Sequence, residues 1–263
     1  MKLAYRKIGA GQALIILHGL LGSSDNWQTL GKKFAEKFEV YLIDLRNHGH
    51  SPHSGEWNYN VMSDDLQELI KDNNLKNIVL MGHSMGGKVA MHFAIKHAAL
   101  LDKLIVVDVA PKYSPVHHRT ILDALLSINL NTISSRKEVE EQLLLYIKDK
   151  GTVQFLLKNL YWTEKNNLSE TEEKSARLAW RFNLETINKN IESVGEAINT
   201  GFPCKTSTLF IRGEKSDYIK DEDWKDIQKM FPTSILKTIP NAGHWIHAEQ
   251  PDLFYNTVMD FLE

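Results

Sequence analysis

The chain has 263 residues, of which 43% are hydrophobic and 24% are charged, as in an ordinary globular domain with a large core and room for an insertion. Its formal net charge of -2 gives no reason to expect nucleic acid or a membrane surface as a partner. A single cysteine, Cys204, excludes an intramolecular disulfide, and no apolar run approaches the roughly 20 residues that span a bilayer, so we expect a cytoplasmic protein.

Short apolar runs alternate with segments of helical periodicity along most of the chain. The predicted helices cover 26–37, 59–73, 85–97, 222–230 and 251–262. The apolar runs are too hydrophobic for half-exposed strands and are typical of parallel strands buried on both faces. They are ALIIL, VYLIDL, NIVLMG, KLIVVDVA, STLFIRG and ILKTIP, which begin at Ala13, Val40, Asn77, Lys103, Ser207 and Ile235. This alternation predicts an α/β fold with a doubly wound, mostly parallel sheet.

The alternation stops after residue 110 and resumes near residue 200. The sequence between is charged and helical, as in SRKEVEEQLLLYIKDK, with no convincing buried strand. Helical spacing of Val139, Leu143 and Ile147 indicates a packed face. We therefore predict a core of residues 1–110 and 200–263, with a helical cap of residues 111–199 inserted between two strands.

The strongest chemical motif is GHSMG, residues 82–86, directly after the apolar run IVLM and before a predicted helix. A G-x-S-x-G motif between strand and helix is a nucleophile elbow, whose strained turn presents a serine at the strand's carboxyl end. Ser84 is therefore the candidate nucleophile. The backbone N–H of Met85, the next residue, is a candidate donor to a developing oxyanion.

A second donor is expected from the turn HGLLG, residues 18–22, which follows the first apolar run. The backbone N–H of Leu20 is the candidate, and the side chain of His18 is interpreted as a packing group. Asp44, Arg46 and Gly49 of DLRNHGHSP are expected to build a rigid loop beside this turn.

The general base should be a histidine late in the chain, because this elbow occurs with the chain order serine, acid, histidine. Only His244 and His247 follow the last apolar run, and the glycine of NAGHW favours His244. Neither this pair nor the histidines of DLRNHGHSPH have a metal-ligand spacing, so we expect no metal and no organic cofactor.

Two carboxylates compete as the acid that orients the imidazole. Asp217 follows STLFIRG, the usual chain position for the acid, and Asp108 ends KLIVVDVA at the neighbouring strand. Position alone slightly favours Asp217, and both remain candidates.

The residues that bind the substrate are less clearly marked in the sequence. Candidates for the wall of the acyl pocket are four aromatic residues of the cap, Phe155, Trp162, Trp180 and Phe182. Aromatic residues at helical spacing also pack inward, so each could instead belong to the hydrophobic core of the cap. Basic residues near the cap entrance could attract a phosphorylated leaving group such as coenzyme A, or form a solvated patch; they are Lys112, His117, His118 and Arg119.

Taken together, HGLLGSSDNW, DLRNHGHSP, GHSMGGK, VVDVAP and NAGHWIHAEQP resemble the YbfF-type esterases of the α/β-hydrolase superfamily. The resemblance implies hydrolysis of carboxylic esters, with acyl-CoA thioesters as a further substrate class. It also implies that the aspartate of DVAP, Asp108, serves as the acid beside a serine at position 216. The presence of Asp217 departs from that pattern, so both carboxylates stay candidates, and the resemblance slightly favours Asp108.

We therefore expect a serine hydrolase of small-molecule esters or thioesters that works through an acyl-enzyme. The alternatives on the same fold are a small-ligand receptor and a cofactor-free perhydrolase. The sequence does not indicate an oligomeric state.

Overall fold

The computed structural model describes residues 1–163, 176–199 and 201–263. Residues 164–175 of the predicted cap and residue 200 at the predicted boundary lie outside the described residues. The strands are β1 (Tyr5–Ile8), β2 (Ala13–Leu17), β3 (Glu39–Ile43), β4 (Ile78–His83), β5 (Leu101–Val107), β6 (Leu160–Trp162), β7 (Leu178–Trp180), β8 (Ser207–Gly213) and β9 (Ser234–Ile239). The helices are α1 (Gln28–Phe34), α2 (Tyr59–Asp72), α3 (Met85–His97), α4 (Arg119–Ser127), α5 (Arg136–Tyr146), α6 (Lys150–Leu157), α7 (Leu184–Lys189), α8 (Glu192–Gly195), α9 (Trp224–Met230), α10 (Ile246–Glu249) and α11 (Pro251–Leu262).

The main sheet of the described residues has seven strands in the order β1-β3-β2-β4-β5-β8-β9. Only β1 pairs antiparallel, with β3, and the other neighbours are parallel. Every residue of β2 and of β4 is buried. The predicted α/β fold with a mostly parallel sheet is confirmed.

The sheet separates two hydrophobic clusters. Alternate residues of β2 point to opposite faces, as a strand requires. Ile15 and Leu17 belong to the cluster that contains residues of α2 and α3, whereas Leu14 and Ile16 pack with residues of α1 and α11. Helices therefore cover both faces of the sheet, and the parallel strands direct their carboxyl ends to one edge.

Three elements differ from the sequence prediction. The edge strand β1 was not predicted, because YRKI is polar and mostly exposed. The helix expected over 26–37 is a 3-10 turn (Ser24–Trp27) followed by the shorter α1. The cap contains a short antiparallel pair, β6 with β7, where no strand was expected. The strand β1 lies at the sheet edge and the β6–β7 pair lies in the cap, so no buried apolar run marks them, whereas the 3-10 turn carries the buried Trp27.

Helices α4 to α8 and the β6–β7 pair lie between β5 and β8 in the chain, in the range predicted for the cap. This part of the chain hydrogen-bonds to the turn after β2 and to the first residue of α2. Asn159 Nδ2 donates to the carbonyl of Leu21 (2.8 Å), and Tyr59 Oη donates to that of Val194 (2.8 Å). The predicted limits of core and cap stay a prediction.

Lys88 of α3 ties two cap segments to the helix that follows Ser84. Its side chain is 1% exposed, and Nζ donates to the carbonyls of Lys112 (3.0 Å), Gly195 (3.1 Å) and Glu196. Burial lowers the pKa of Lys88 to about 8. A buried ammonium requires such partners, so the three carbonyls account for a lysine in this position.

Among the described residues, no helix is both long enough and apolar enough to cross a membrane. The cytoplasmic location stays a prediction.

Candidate active site

Ser84 occupies the tight turn between β4 and α3. Its backbone has φ 53° and ψ −119°, outside the ordinary regions for a non-glycine residue. The Ser84 N–H donates to the carbonyl of Val107 at the end of β5 (2.9 Å), which holds the turn against the neighbouring strand. Strain of this kind persists where surrounding structure enforces it, and it is concentrated at functional sites.

Two glycines make that turn possible. A Cβ at Gly82 would lie 2.1 Å from the carbonyl oxygen of Gly86, and one at Gly86 would lie 2.5 Å from that of His18. Real side chains do not tolerate such contacts with backbone. The glycines of G-x-S-x-G are thus required by the close approach of helix, strand and the turn at residues 18–22.

A continuous line of hydrogen bonds joins three of the predicted site residues. His244 Nε2 lies 3.0 Å from Ser84 Oγ, and His244 Nδ1 lies 2.8 Å from Asp108 Oδ2. A carboxylate can only accept, so Nδ1 carries the proton and Nε2 is free to accept from the serine hydroxyl. The arrangement has the geometry in which a histidine can take a proton from a serine.

Asp108 is the carboxylate in contact with His244. It is fully buried, at the end of β5, with φ 52°. Its Oδ1 accepts from the backbone N–H of Gly213 (3.1 Å), and its Oδ2 accepts from Ser216 Oγ as well as from His244. Asp217 is exposed to solvent, and both ring nitrogens of His244 already have other partners. The geometry therefore favours Asp108 over Asp217.

Two residues around His244 were not predicted from the sequence. The ring of Tyr218 stacks on the imidazole, with centroids 3.9 Å apart and planes 15° apart. His83 Nε2 donates to the carbonyl oxygen of His244 (2.8 Å). Burial and the nearby His244 hold the pKa of His83 well below its usual value, so His83 is a neutral donor that fixes the loop carrying His244. Its position as the variable residue of the elbow carried no signal of this role.

The two candidate oxyanion donors are Met85, within the elbow, and Leu20, in the turn at residues 18–22 that lines the same cavity as Ser84. Met85 is the first residue of α3, where the helix leaves an N–H without an intrahelical acceptor. The N–H of Leu21 donates to His48 Nε2 (3.2 Å). The N–H of Leu20 makes no hydrogen bond among the described residues. Leu20 N–H thus remains available.

Buried neutral histidines hold the turn at residues 18–22. His18 Nε2 accepts from the N–H of Leu45 (3.0 Å), and His48 Nδ1 donates to the carbonyl of Arg46 (2.9 Å). Burial, and to a smaller extent the nearby His18, lowers the pKa of His48 to about 3. The expected packing role of His18 agrees with this geometry.

Asp44 organises the adjacent loop. It accepts from the N–H groups of Ser24 (2.7 Å) and His50 (2.9 Å), and Gly49 has the positive φ, 56°, that this close contact requires. The described residues contain no group of three or more side chains that could hold a metal ion.

A cavity of about 610 Å³ opens at Ser84 and His244. Its wall is largely apolar and comes from both the core and the cap, including Leu20, Leu21, Ile121, Phe155 and Trp245. A narrow pocket of about 20 Å³, room for about one water molecule, lies against Ser84 and is lined by Tyr59, Lys88, Val109, His118 and Val194, among others.

Of the four predicted wall aromatics, only Phe155 lines this cavity, where its ring packs on Trp245 with centroids 5.2 Å apart. Phe182 is 2% exposed and stacks on Trp180 at 5.3 Å, and Trp162 on β6 is 51% exposed. The structure corrects the expectation for Trp162, Trp180 and Phe182. Trp180 and Phe182 form part of the cap's own packing, which helical spacing in the sequence could not distinguish from a pocket wall.

The basic residues near the cap entrance are largely compensated. Lys112 Nζ contacts Asp223 (2.7 Å), and Arg119 contacts Asp123 on the next helical turn (2.6 Å). These ion pairs favour the interpretation as an ordinary charged surface over a site that attracts phosphate.

The alpha/beta hydrolase fold family matches residues 12–251. The sn-1-specific diacylglycerol lipase ABHD11 of Danio rerio is 35% identical over 268 residues, which cover 97% of this chain and 80% of that protein. Esterase YbfF of Escherichia coli K12 is 29% identical over 252 residues, covering 95% and 92% of the two chains. A solved structure of a marine microorganism esterase aligns with a TM-score of 0.92 at 42% identity, covering 99% of each chain.

Proposed function

The chain belongs to the α/β-hydrolase family, and from that premise we propose that it is a serine hydrolase that cleaves carboxylic esters through an acyl-enzyme on Ser84. The observation that carries the proposal is the hydrogen-bonded line from Asp108 through His244 to Ser84. The esterase and lipase names of the similar proteins support ester hydrolysis as the reaction.

Acylation begins with His244 Nε2, which removes the proton from Ser84 Oγ as this oxygen attacks the ester carbonyl carbon. Asp108 keeps the Nδ1 proton in place and stabilises the imidazolium that forms. Full burial of Asp108 means that little water competes with His244 for its oxygens. Tyr218 on the ring face restrains the imidazole further.

The backbone N–H groups of Leu20 and Met85 are proposed to bind the oxyanion of the tetrahedral intermediate. One such donor typically contributes about 10²–10³-fold to kcat, or about 3–4 kcal/mol. His244 then gives its proton to the leaving alcohol, the carbonyl re-forms, and the acyl group stays on Ser84. A water activated by His244 hydrolyses this ester and restores the free serine.

The substrates are proposed to be small, largely apolar esters, because the cavity beside Ser84 is mostly apolar and about 610 Å³ in volume. Thioesters of coenzyme A are the alternative substrate class. The pairing of Lys112 with Asp223 and of Arg119 with Asp123 weakens the case for a phosphate-bearing leaving group.

The test is the release of p-nitrophenol from p-nitrophenyl butyrate by the wild type and by Ser84→Ala. We expect saturable turnover in the wild type and a loss of at least about 10³-fold in the variant. Equal rates in the two proteins would refute the proposal. Tight ligand binding without turnover on any ester would favour a receptor instead.

A further inference from the structure

His118 lies at the site although the mechanism above does not use it. It is the residue immediately before α4, on the segment that leads from β5 into the cap. Its side chain lines both the 610 Å³ cavity and the narrow pocket, the two spaces that contact Ser84. A substrate bound for attack by Ser84 therefore passes beside this imidazole.

The imidazole of His118 has an unused hydrogen-bonding atom. Among the described residues, Nδ1 is buried and has no hydrogen-bond partner. A buried polar atom without a partner is costly, so native structures rarely keep one except where a water or a ligand completes it. Two other polar side chains that line the narrow pocket already have partners: Lys88 Nζ donates to three carbonyls, and Tyr59 Oη donates to the carbonyl of Val194.

The imidazole of His118 is uncharged. Burial, and to a smaller extent the nearby His244 and His117, lowers the pKa of His118 to about 4. A neutral imidazole offers one donor and one acceptor. It therefore matches a hydroxyl group, which also donates and accepts, and it supplies no positive charge to attract a carboxylate or a phosphate.

We propose that His118 is a specificity-determining residue whose imidazole hydrogen-bonds a hydroxyl group carried by the substrate close to the scissile ester. The inference rests on the proposed ester hydrolysis and names its preferred substrate class. The hydroxyl belongs either to the alcohol part, as in a glycol monoester, or to the acyl part, as in a 2-hydroxy acid ester. Either source offers the same hydroxyl group to the same imidazole.

Two pairs of esters of matched size separate the sources. Propyl butyrate and 2-hydroxyethyl butyrate differ in the alcohol part, and methyl 2-methylbutyrate and methyl 2-hydroxybutyrate differ in the acyl part. The kcat/KM of each is measured by titration of the released acid. The ratio within a pair is independent of the fraction of folded enzyme. Comparing this ratio between variants also removes the intrinsic reactivity of the two esters.

The measured ratio is kcat/KM for the hydroxylated ester divided by kcat/KM for its apolar partner. In one of the two pairs, this ratio should be about tenfold higher in wild type than in His118→Phe, as expected for one hydrogen bond to a substrate hydroxyl. His118→Leu should behave like His118→Phe, with propyl butyrate still hydrolysed. The matched control is His92→Phe, because His92 also has a buried Nδ1 without a partner but lines neither space. That control should keep the wild-type ratio in both pairs.

Ratios that stay within about twofold of wild type in His118→Phe and His118→Leu would overturn the assignment and leave the esterase proposal standing. The same holds if His92→Phe changes the ratio as much as the His118 variants do. Failure of the proposed function gives a different pattern, since neither propyl butyrate nor p-nitrophenyl butyrate would then be hydrolysed in a Ser84-dependent manner.

Discussion

Replacing Asp108 with asparagine should lower kcat for an ester by about 10⁴-fold, whereas Asp217→Asn should change it by less than about twofold. The carboxylate of Asp108 accepts from three donors, namely His244 Nδ1, the Gly213 N–H and Ser216 Oγ. An asparagine has only one acceptor oxygen. Its amide nitrogen would therefore face at least one of these donors.

If the amide nitrogen faces His244, the imidazole moves its proton to Nε2 and can no longer accept from Ser84. A 10⁴-fold loss corresponds to about 5.4 kcal/mol of transition-state stabilisation. Asp217 is exposed, so its substitution removes no contact with His244. The assay is kcat on p-nitrophenyl butyrate at saturation, with circular dichroism to establish that both variants fold. A large loss in Asp217→Asn, or near-normal turnover in a folded Asp108→Asn, would refute the assignment of the acid.

Two further predictions follow from the contacts of the site. Tyr218→Ala should reduce kcat by about two- to tenfold, because a stacked ring contributes about 0.5–1.5 kcal/mol. Tyr218→Phe keeps the ring, so its kcat should stay near that of wild type. Equal losses of kcat in the two variants would contradict a stacking role. Stability should fall below about pH 6.5, because burial lowers the pKa of His48 and of His247 to about 3. Between about pH 3 and pH 6.5 the unfolded chain therefore binds more protons than the folded one. Each of the two histidines then lowers the free energy of unfolding by about 1.4 kcal/mol for each pH unit below 6.5. Urea unfolding at pH 7 and pH 5 measures this change, and equal free energies of unfolding would exclude it.

The sequence predicted most of the main sheet and its helices because parallel strands buried on both faces leave unbroken apolar runs. The polar edge strand β1 has no such run, so only its pairing with β3 identifies it. The same limit applies to the β6–β7 pair of the cap.

At the site, Ser84 and His244 could be predicted because motif and chain order restrict the choices. The acid could not be chosen from chain position, since Asp108 and Asp217 both follow strands that end at the same edge; only the resemblance to the YbfF-type esterases slightly favoured Asp108. Burial and the positive φ of Asp108 separate them, and neither can be obtained from one sequence. Tyr218 and His118 contact the site through packing between segments distant in the chain, which has no local sequence pattern.

The most direct test of Ser84 as the nucleophile is peptide mass spectrometry after reaction with diethyl p-nitrophenyl phosphate, which transfers its phosphoryl group to an activated serine. We expect one diethylphosphoryl group per chain, on Ser84, with strongly slowed labelling in His244→Ala and none in Ser84→Ala. Labelling of another residue in the wild type, or equal labelling of Ser84→Ala, would contradict the proposed mechanism.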